Sequence, residues 1–201
     1  MPSLPSRARA ERALLCLAIL SAGGNVLAAE PIDTDGPDFV ESSEVVPRGR
    51  FQYELDARAR ESSLLLKQGV AENFELRLTL ARHDSPGLGI KWHALDRDAA
   101  SGRPAVAWIV DIEKPALRSV ITWDLPHDLS LGVMPGIRNA SGIFGAVLNE
   151  RVSERLRMFV ERSALHSARW DLGAAYLLGR DAQIGARAGA GYVLLELAQR
   201  F

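Results

Sequence analysis

The chain has 201 residues, an almost even balance of 24 Lys and Arg against 25 Asp and Glu, and a single cysteine, Cys16. That balance leaves no basic face for nucleic acid, and one thiol can build neither a disulfide framework nor a thiolate metal site. Beyond the first thirty residues no stretch reaches the roughly 18 continuous apolar residues of a spanning helix.

The N-terminus reads as a secretory leader. Arg7, Arg9 and Arg12 precede the apolar run Ala13 to Leu20, and small residues follow to Ala28 and Ala29. An apolar run this short falls well below the roughly 20 residues a helix needs to cross a bilayer, so residues 1–29 are expected to be cleaved as a signal peptide. Cys16 leaves with the leader, and the loss of three Arg and Glu11 takes the net charge from -1 to -3. Residues 30–47 follow as an acidic lead-in containing "IDTDGPDFVES", broken by Gly36 and Pro37. Asp33, Asp35, Asp38 and Glu41 raise the question of calcium, but their spacing does not fit an EF-hand loop, and no metal is expected.

From residue 48 to residue 201 the chain alternates. Phe51, Tyr53, Leu55, Ala57 and Ala59 fall on one face of an extended strand, with Gln52, Glu54, Asp56, Arg58 and Arg60 on the other. Soluble strands average about six residues, whereas a strand tilted across a bilayer needs about 9 to 11. The pattern returns in Phe74, Leu76, Leu78 and Leu80 against Glu75 and Arg77, and again in Leu156, Met158 and Val160 against Arg155, Arg157 and Glu161. It closes with Val193, Leu195, Leu197 and Phe201 against Glu196 and Arg200. Polar breaks at residues 71–73, 126–128, 153–154 and 180–182 have turn chemistry.

Together these runs predict an all-β protein, an antiparallel up-and-down transmembrane β-barrel. It has about twelve strands, with ten as the alternative because the sixth to eighth runs and the short join at Gly189-Ala190-Gly191 are the weakest. The link from Asp96 to Arg103 is longer than its neighbours and argues against the register there. Glu54, Arg58, Arg60, Glu75, Arg77, Arg155, Arg157 and Glu161 are the expected lumen lining, and Trp and Tyr residues the interfacial girdles. A soluble sandwich also alternates. The distribution of aromatics and the aromatic Phe201, expected as a signal to the barrel assembly machinery, favour the membrane.

No Gly-x-Ser-x-Gly, His-Glu-x-x-His or phosphate loop is present, so neither a catalytic residue nor a cofactor is expected. His166 and Ser167 are adjacent on a strand and point to opposite faces.

Thr34, Asp35, Pro37, Asp38, Phe39, Glu41 and Ser42, followed by Val45, Val46, Pro47, Gly49, Phe51, Gln52 and Glu54, resemble the opening of the family labelled putative MetA pathway of phenol degradation. Gly36 departs from that family, which commonly has Arg there. The resemblance implies an outer-membrane transporter-type barrel of a Gram-negative bacterium, with the lead-in at the periplasmic mouth or folded into the lumen as a plug. The expected function is passage or uptake of small, apolar or aromatic solutes by a monomer whose partners are outer-membrane lipids, the assembly machinery and the solute. A non-conducting structural barrel and an outer-membrane lipid hydrolase are the alternatives.

Overall fold

The computed structural model describes residues 31–36, 39–59, 61–164 and 168–201. The expected leader, Pro37, Asp38, Arg60, His166 and Ser167 lie outside the described residues. The strands are β1 (Phe51–Arg58), β2 (Glu61–Ala71), β3 (Phe74–Ala81), β4 (Gly87–Leu95), β5 (Ala105–Asp111) and β6 (Ala116–Leu125). They continue as β7 (Leu129–Arg138), β8 (Ser141–Arg151), β9 (Leu156–Ala164), β10 (Ala168–Leu177), β11 (Ala182–Gly189) and β12 (Tyr192–Arg200).

Each strand pairs antiparallel with its neighbours in sequence, and β12 pairs with β1 to close a twelve-stranded barrel. Closure leaves no unpaired edge, which a sheet in lipid requires. The seam is tied at its end by two backbone bonds: Phe201 N–H donates to the Phe51 carbonyl at 2.7 Å, and Phe51 N–H donates to Phe201 at 3.3 Å.

The alternation sorts outward from inward side chains. Leu172, Val193 and Leu195 are more than half exposed, as are Leu178 and Ile137, while Glu75, Lys91 and Glu161 are fully buried. A soluble protein inverts that arrangement; a membrane barrel demands it, because lipid covers the outer apolar face. Tyr53, Phe74, Trp92, Tyr176 and Phe201 lie near the end that carries both barrel termini, with Phe74 and Trp92 stacked at 6.1 Å and Tyr53 6.0 Å from Phe201. Tyr192 departs from the expected girdle. It lies on the inward-facing set of β12, with the Arg58 guanidinium 4.2 Å and the Arg187 guanidinium 5.8 Å from its ring.

Turn chemistry explains the hairpins. Asn139 (φ 49°) and Ala140 (φ 61°), between β7 and β8, both take the left-handed conformation, as the primed two-residue turn requires. The sixth to eighth runs are three separate strands, so the count is twelve. The link after β4 is longer because Asp98 and Arg103 form their own antiparallel bridge, and a bulge between His93 and Leu95 absorbs the irregularity. The register shifts by one residue across that bulge, from His93 opposite Ala107 to Leu95 opposite Val106. Tight turns are not confined to one end, since Glu72-Asn73 and Asn139-Ala140 close hairpins at opposite ends. The ends differ instead in what enters them.

Candidate functional site

A twelve-stranded barrel is wider than an eight-stranded one, which its own side chains fill, and narrower than an open porin. Residues 32–36 and 39–47 occupy the resulting space. The segment enters and leaves at the end carrying the barrel termini. There Ile32 N–H donates to the Arg180 carbonyl at 2.6 Å, and Gly49 N–H donates to the Gly69 carbonyl at 2.8 Å. Gly69 is required at the exit: a Cβ there would stand 2.2 Å from the Val46 carbonyl oxygen.

Asp35 is the centre of the arrangement. Its Oδ2 accepts from Lys67 Nζ of β2 and from Arg77 Nη1 of β3, each at 2.9 Å, and its Oδ1 accepts from Lys91 Nζ of β4 at 2.8 Å. Ser42 N–H also donates to Oδ1, at 3.1 Å. Burial of the carboxyl raises its pKa, but Lys67, Lys91 and Arg77 outweigh burial and hold it well below the usual carboxylate range. Glu41 follows the same logic: burial raises it, and Arg118 of β6 and Arg77 lower it further. The Glu41–Arg77 contact is 2.7 Å, and Arg118 also reaches Asp111 at 2.8 Å.

The backbone of the segment is satisfied by carboxylates of the wall. Glu54 of β1 accepts from Asp35 N–H at 3.0 and 3.1 Å, Glu75 of β3 from Val46 N–H at 2.8 Å, and Glu161 of β9 from Val40 N–H at 3.0 Å. Phe39 N–H makes a second bond to Glu161, at 2.5 Å. Gln183 of β11 donates to the Thr34 hydroxyl at 2.7 Å. Irregular backbone can persist in such an interior only where polar partners replace water, and these strands supply them.

One sector of the wall is apolar. Val40 packs with Ala107 and Ile109 of β5, Val120 of β6, Met134 of β7, Val147 of β8 and Phe159 of β9, with Phe39 against the same cluster. Gly145 makes this possible, since a Cβ there would lie 2.7 Å from Val40. The lumen therefore has a charged sector on β1 to β4 and an apolar patch on β5 to β9, interrupted by Arg118 of β6 and Glu161 of β9, and the segment bridges them.

A cavity of about 800 Å³ remains beside the segment at the end carrying the termini. Arg155 and Arg157 line it, together with Lys67, Asn149 and Arg151. Of the other expected lumen residues, Glu54, Glu75, Arg77 and Glu161 are buried against the segment, while Arg58 lies at the opposite rim, 3.7 Å from Glu61. From the N-terminal motif, Thr34, Asp35, Phe39, Glu41 and Ser42 lie in or at the lumen.

Sequence reasoning missed Lys67, Lys91 and Arg118. Each sits on the inward set beside apolar residues: Leu64 to Leu66 precede Lys67, Ile90 and Trp92 flank Lys91, and Leu117 precedes Arg118. A lone cation in such a run is the signal that marks them. His93 does not serve a nucleophile: its Nδ1 lies 2.8 Å from the Ser43 carbonyl and its Nε2 lies 2.9 Å from Asp96.

Among solved structures the chain is similar to the KdgM porin, with a TM-score of 0.52 at 10% identity over 76% of this chain and 98% of that one. The KdgM porin in complex with disordered oligogalacturonate gives the same figures. The outer membrane protein Omp33 of Acinetobacter baumannii matches with a TM-score of 0.45 at 10% identity, over 76% of this chain and 96% of that one. At this identity the likeness to KdgM is one of fold, an outer-membrane porin-like barrel. No family model and no curated protein matches the chain, so the MetA-pathway resemblance rests on its motif residues.

Two outcomes follow from the Asp35 cluster. Asp35→Asn leaves Lys67, Arg77 and Lys91 without their shared counter-charge, a loss of about 3–5 kcal/mol for a broken buried ion pair. A Val40→Cys probe in a Cys16→Ser background should be inert to maleimide at neutral pH, and Asp35→Asn should make it reactive. The second outcome concerns pH. A carboxylate whose folded pKa is depressed stabilises fully above its unfolded value and loses that contribution as pH falls through the folded one. A nitroxide at Val45 should therefore stay immobilised from pH 8 to about 5 and gain mobility only below about 4.

Proposed function

We propose that this protein is an outer-membrane channel or transporter whose lumen is closed at rest by its own residues 32–47, and that small solutes pass when that segment shifts. The observation that carries this is how the segment is held. Its anchors are ion pairs and carboxylate-to-backbone bonds around Asp35, and of its apolar residues only Phe39 and Val40 join the apolar cluster of the wall, with Ile32 and Val46 buried near its two ends. A permanent filling would be expected to interlock by shape; a set of charge contacts can be exchanged for water or for a charged ligand.

The closed barrel, its outward apolar belt and the fold likeness to KdgM support placement in an outer membrane. Both barrel termini then lie at the periplasmic mouth, the usual arrangement for an even strand number, and the segment enters from that side. Withdrawal of Val40 would bare Ile109, Val120, Met134, Val147 and Phe159. An apolar strip facing a charged sector suits small solutes with an apolar or aromatic body. In this reading the protein is not an enzyme.

A second reading has its own support. The fully buried Lys91, Glu75 and Glu161 form a lumen with little free space at mid-height, as a non-conducting structural barrel would have.

Planar-bilayer recording separates the two. The intact protein should show small or rare openings, and deletion of residues 32–45 should raise conductance at least tenfold. A deletion variant that folds, judged by slower migration after boiling, yet conducts no better than the intact chain would contradict the plug and favour the structural barrel.

A further inference from the structure

Two carboxylates of the segment sit in the wall as ligands sit in a site. Asp35 is held by Lys67, Arg77 and Lys91, with a further bond from the Ser42 amide. Glu41 is held by Arg77, whose Nη2 lies 2.7 Å from Glu41 Oε2, and by Arg118, whose Nη1 donates to Oε1. Arg77 therefore bridges the pair, with Nη1 on Asp35 and Nη2 on Glu41. One guanidinium that meets a separate carboxylate at each of its two amino groups keeps them as close as the two ends of a small dicarboxylate.

The cations belong to the barrel and these two carboxylates to the segment. Lys67, Arg77, Lys91 and Arg118 stand on β2, β3, β4 and β6, so the array stays with the wall when the segment shifts. Acids of the wall face the same cations: Glu54 lies 2.5 Å from Lys67, Glu75 3.4 Å from Arg77 and Asp111 2.8 Å from Arg118. With all three of those acids in place, the array still takes two further carboxylates. Lys67 and Glu41 also line the cavity, so the array is reached from the mouth. Val40, next to Glu41 in the chain, packs on Val120, Met134 and Val147, which sets an apolar body beside the charged ends.

We infer that Lys67, Arg77, Lys91 and Arg118 form a binding site for a small dicarboxylate with an apolar or aromatic body, which Asp35 and Glu41 occupy at rest as a tethered competitor. Free ligand and segment exclude one another, and binding releases the plug. A tethered group acts at an effective concentration on the order of millimolar, so a free dicarboxylate binds the intact chain weakly and gains affinity when the tethered carboxylates are neutralised. The site deepens the channel reading and rests on it for its purpose, since it names the solute class; displacement itself needs no conduction.

The test uses phthalate, with benzoate as the single carboxylate, benzyl alcohol as the uncharged control and sodium chloride at matched ionic strength. The folded full-length protein, Cys16→Ser with a nitroxide at Val45, is titrated in detergent at neutral pH. Phthalate should mobilise the nitroxide saturably, at a midpoint at least tenfold below that of benzoate, while benzyl alcohol and sodium chloride leave it immobile. Glu41→Gln keeps Asp35 and its three cations, and equilibrium dialysis should show it binding phthalate severalfold tighter than the intact chain. Adding Arg118→Gln to that variant should remove the gain. Asp35→Asn with Glu41→Gln should tighten binding at least tenfold. No displacement by phthalate in the folded protein, equal displacement by benzoate or sodium chloride, or unchanged phthalate affinity in folded Glu41→Gln would overturn the site. Absent displacement in a barrel that conducts overturns the site alone, and displacement in a barrel that never conducts overturns the passage alone.

Discussion

One buried carboxylate organises the interior. Asp35 gathers Lys67, Arg77 and Lys91 from three consecutive strands and is the counter-charge that all three buried cations share. Removing charges from water is costly, and the attraction offsets that cost only where geometry and additional hydrogen bonds are both present. Here both are. Glu54 and Glu75 complete the coordination of Lys67 and Arg77 while accepting from the backbone of the segment. The wall and the segment are therefore one polar network, and neither is satisfied without the other.

Barrel size explains why such a network is needed. Twelve strands leave a lumen too wide for side chains alone to fill, and the chain closes it with a length of its own backbone. That backbone cannot hydrogen-bond to itself in an extended form, so strands distributed round the wall provide acceptors. Glycine then sets how close it can come: Gly69 and Gly145 stand where any side chain would collide with the segment.

Much of this architecture was legible in the sequence, because alternation is a local signal. Phe51 to Ala59 and Phe74 to Leu80 declare which side meets lipid without reference to any other strand, and closure then follows from their number. Inward orientation does not say which inward residue meets which. Glu54 and Arg77 read equally well as wet pore charges or as partners of a plug, and only the closed barrel brings them to Asp35. Lys67 and Lys91 escaped notice because their runs read as apolar strands. Tyr192 was misplaced on the girdle although its parity with Glu196 and Arg200 already turns it inward. The lead-in offered both a mouth position and a lumen position, and its acids, among them Asp35 and Glu41, are what suit it to a charged interior.

The placement of residues 32–47 inside the barrel is tested most directly by hydrogen exchange at three backbone amides, those of Asp35, Val40 and Val46. Each donates to a carboxylate of the wall: Glu54, Glu161 and Glu75 respectively. Protection at these amides comparable with that of the strand amides at neutral pH, and collapsing in Asp35→Asn, is the expected result. Exchange at the rate of an unstructured chain while the strands stay protected would mean that the segment lies outside the lumen, and the account of a self-plugged barrel would be wrong.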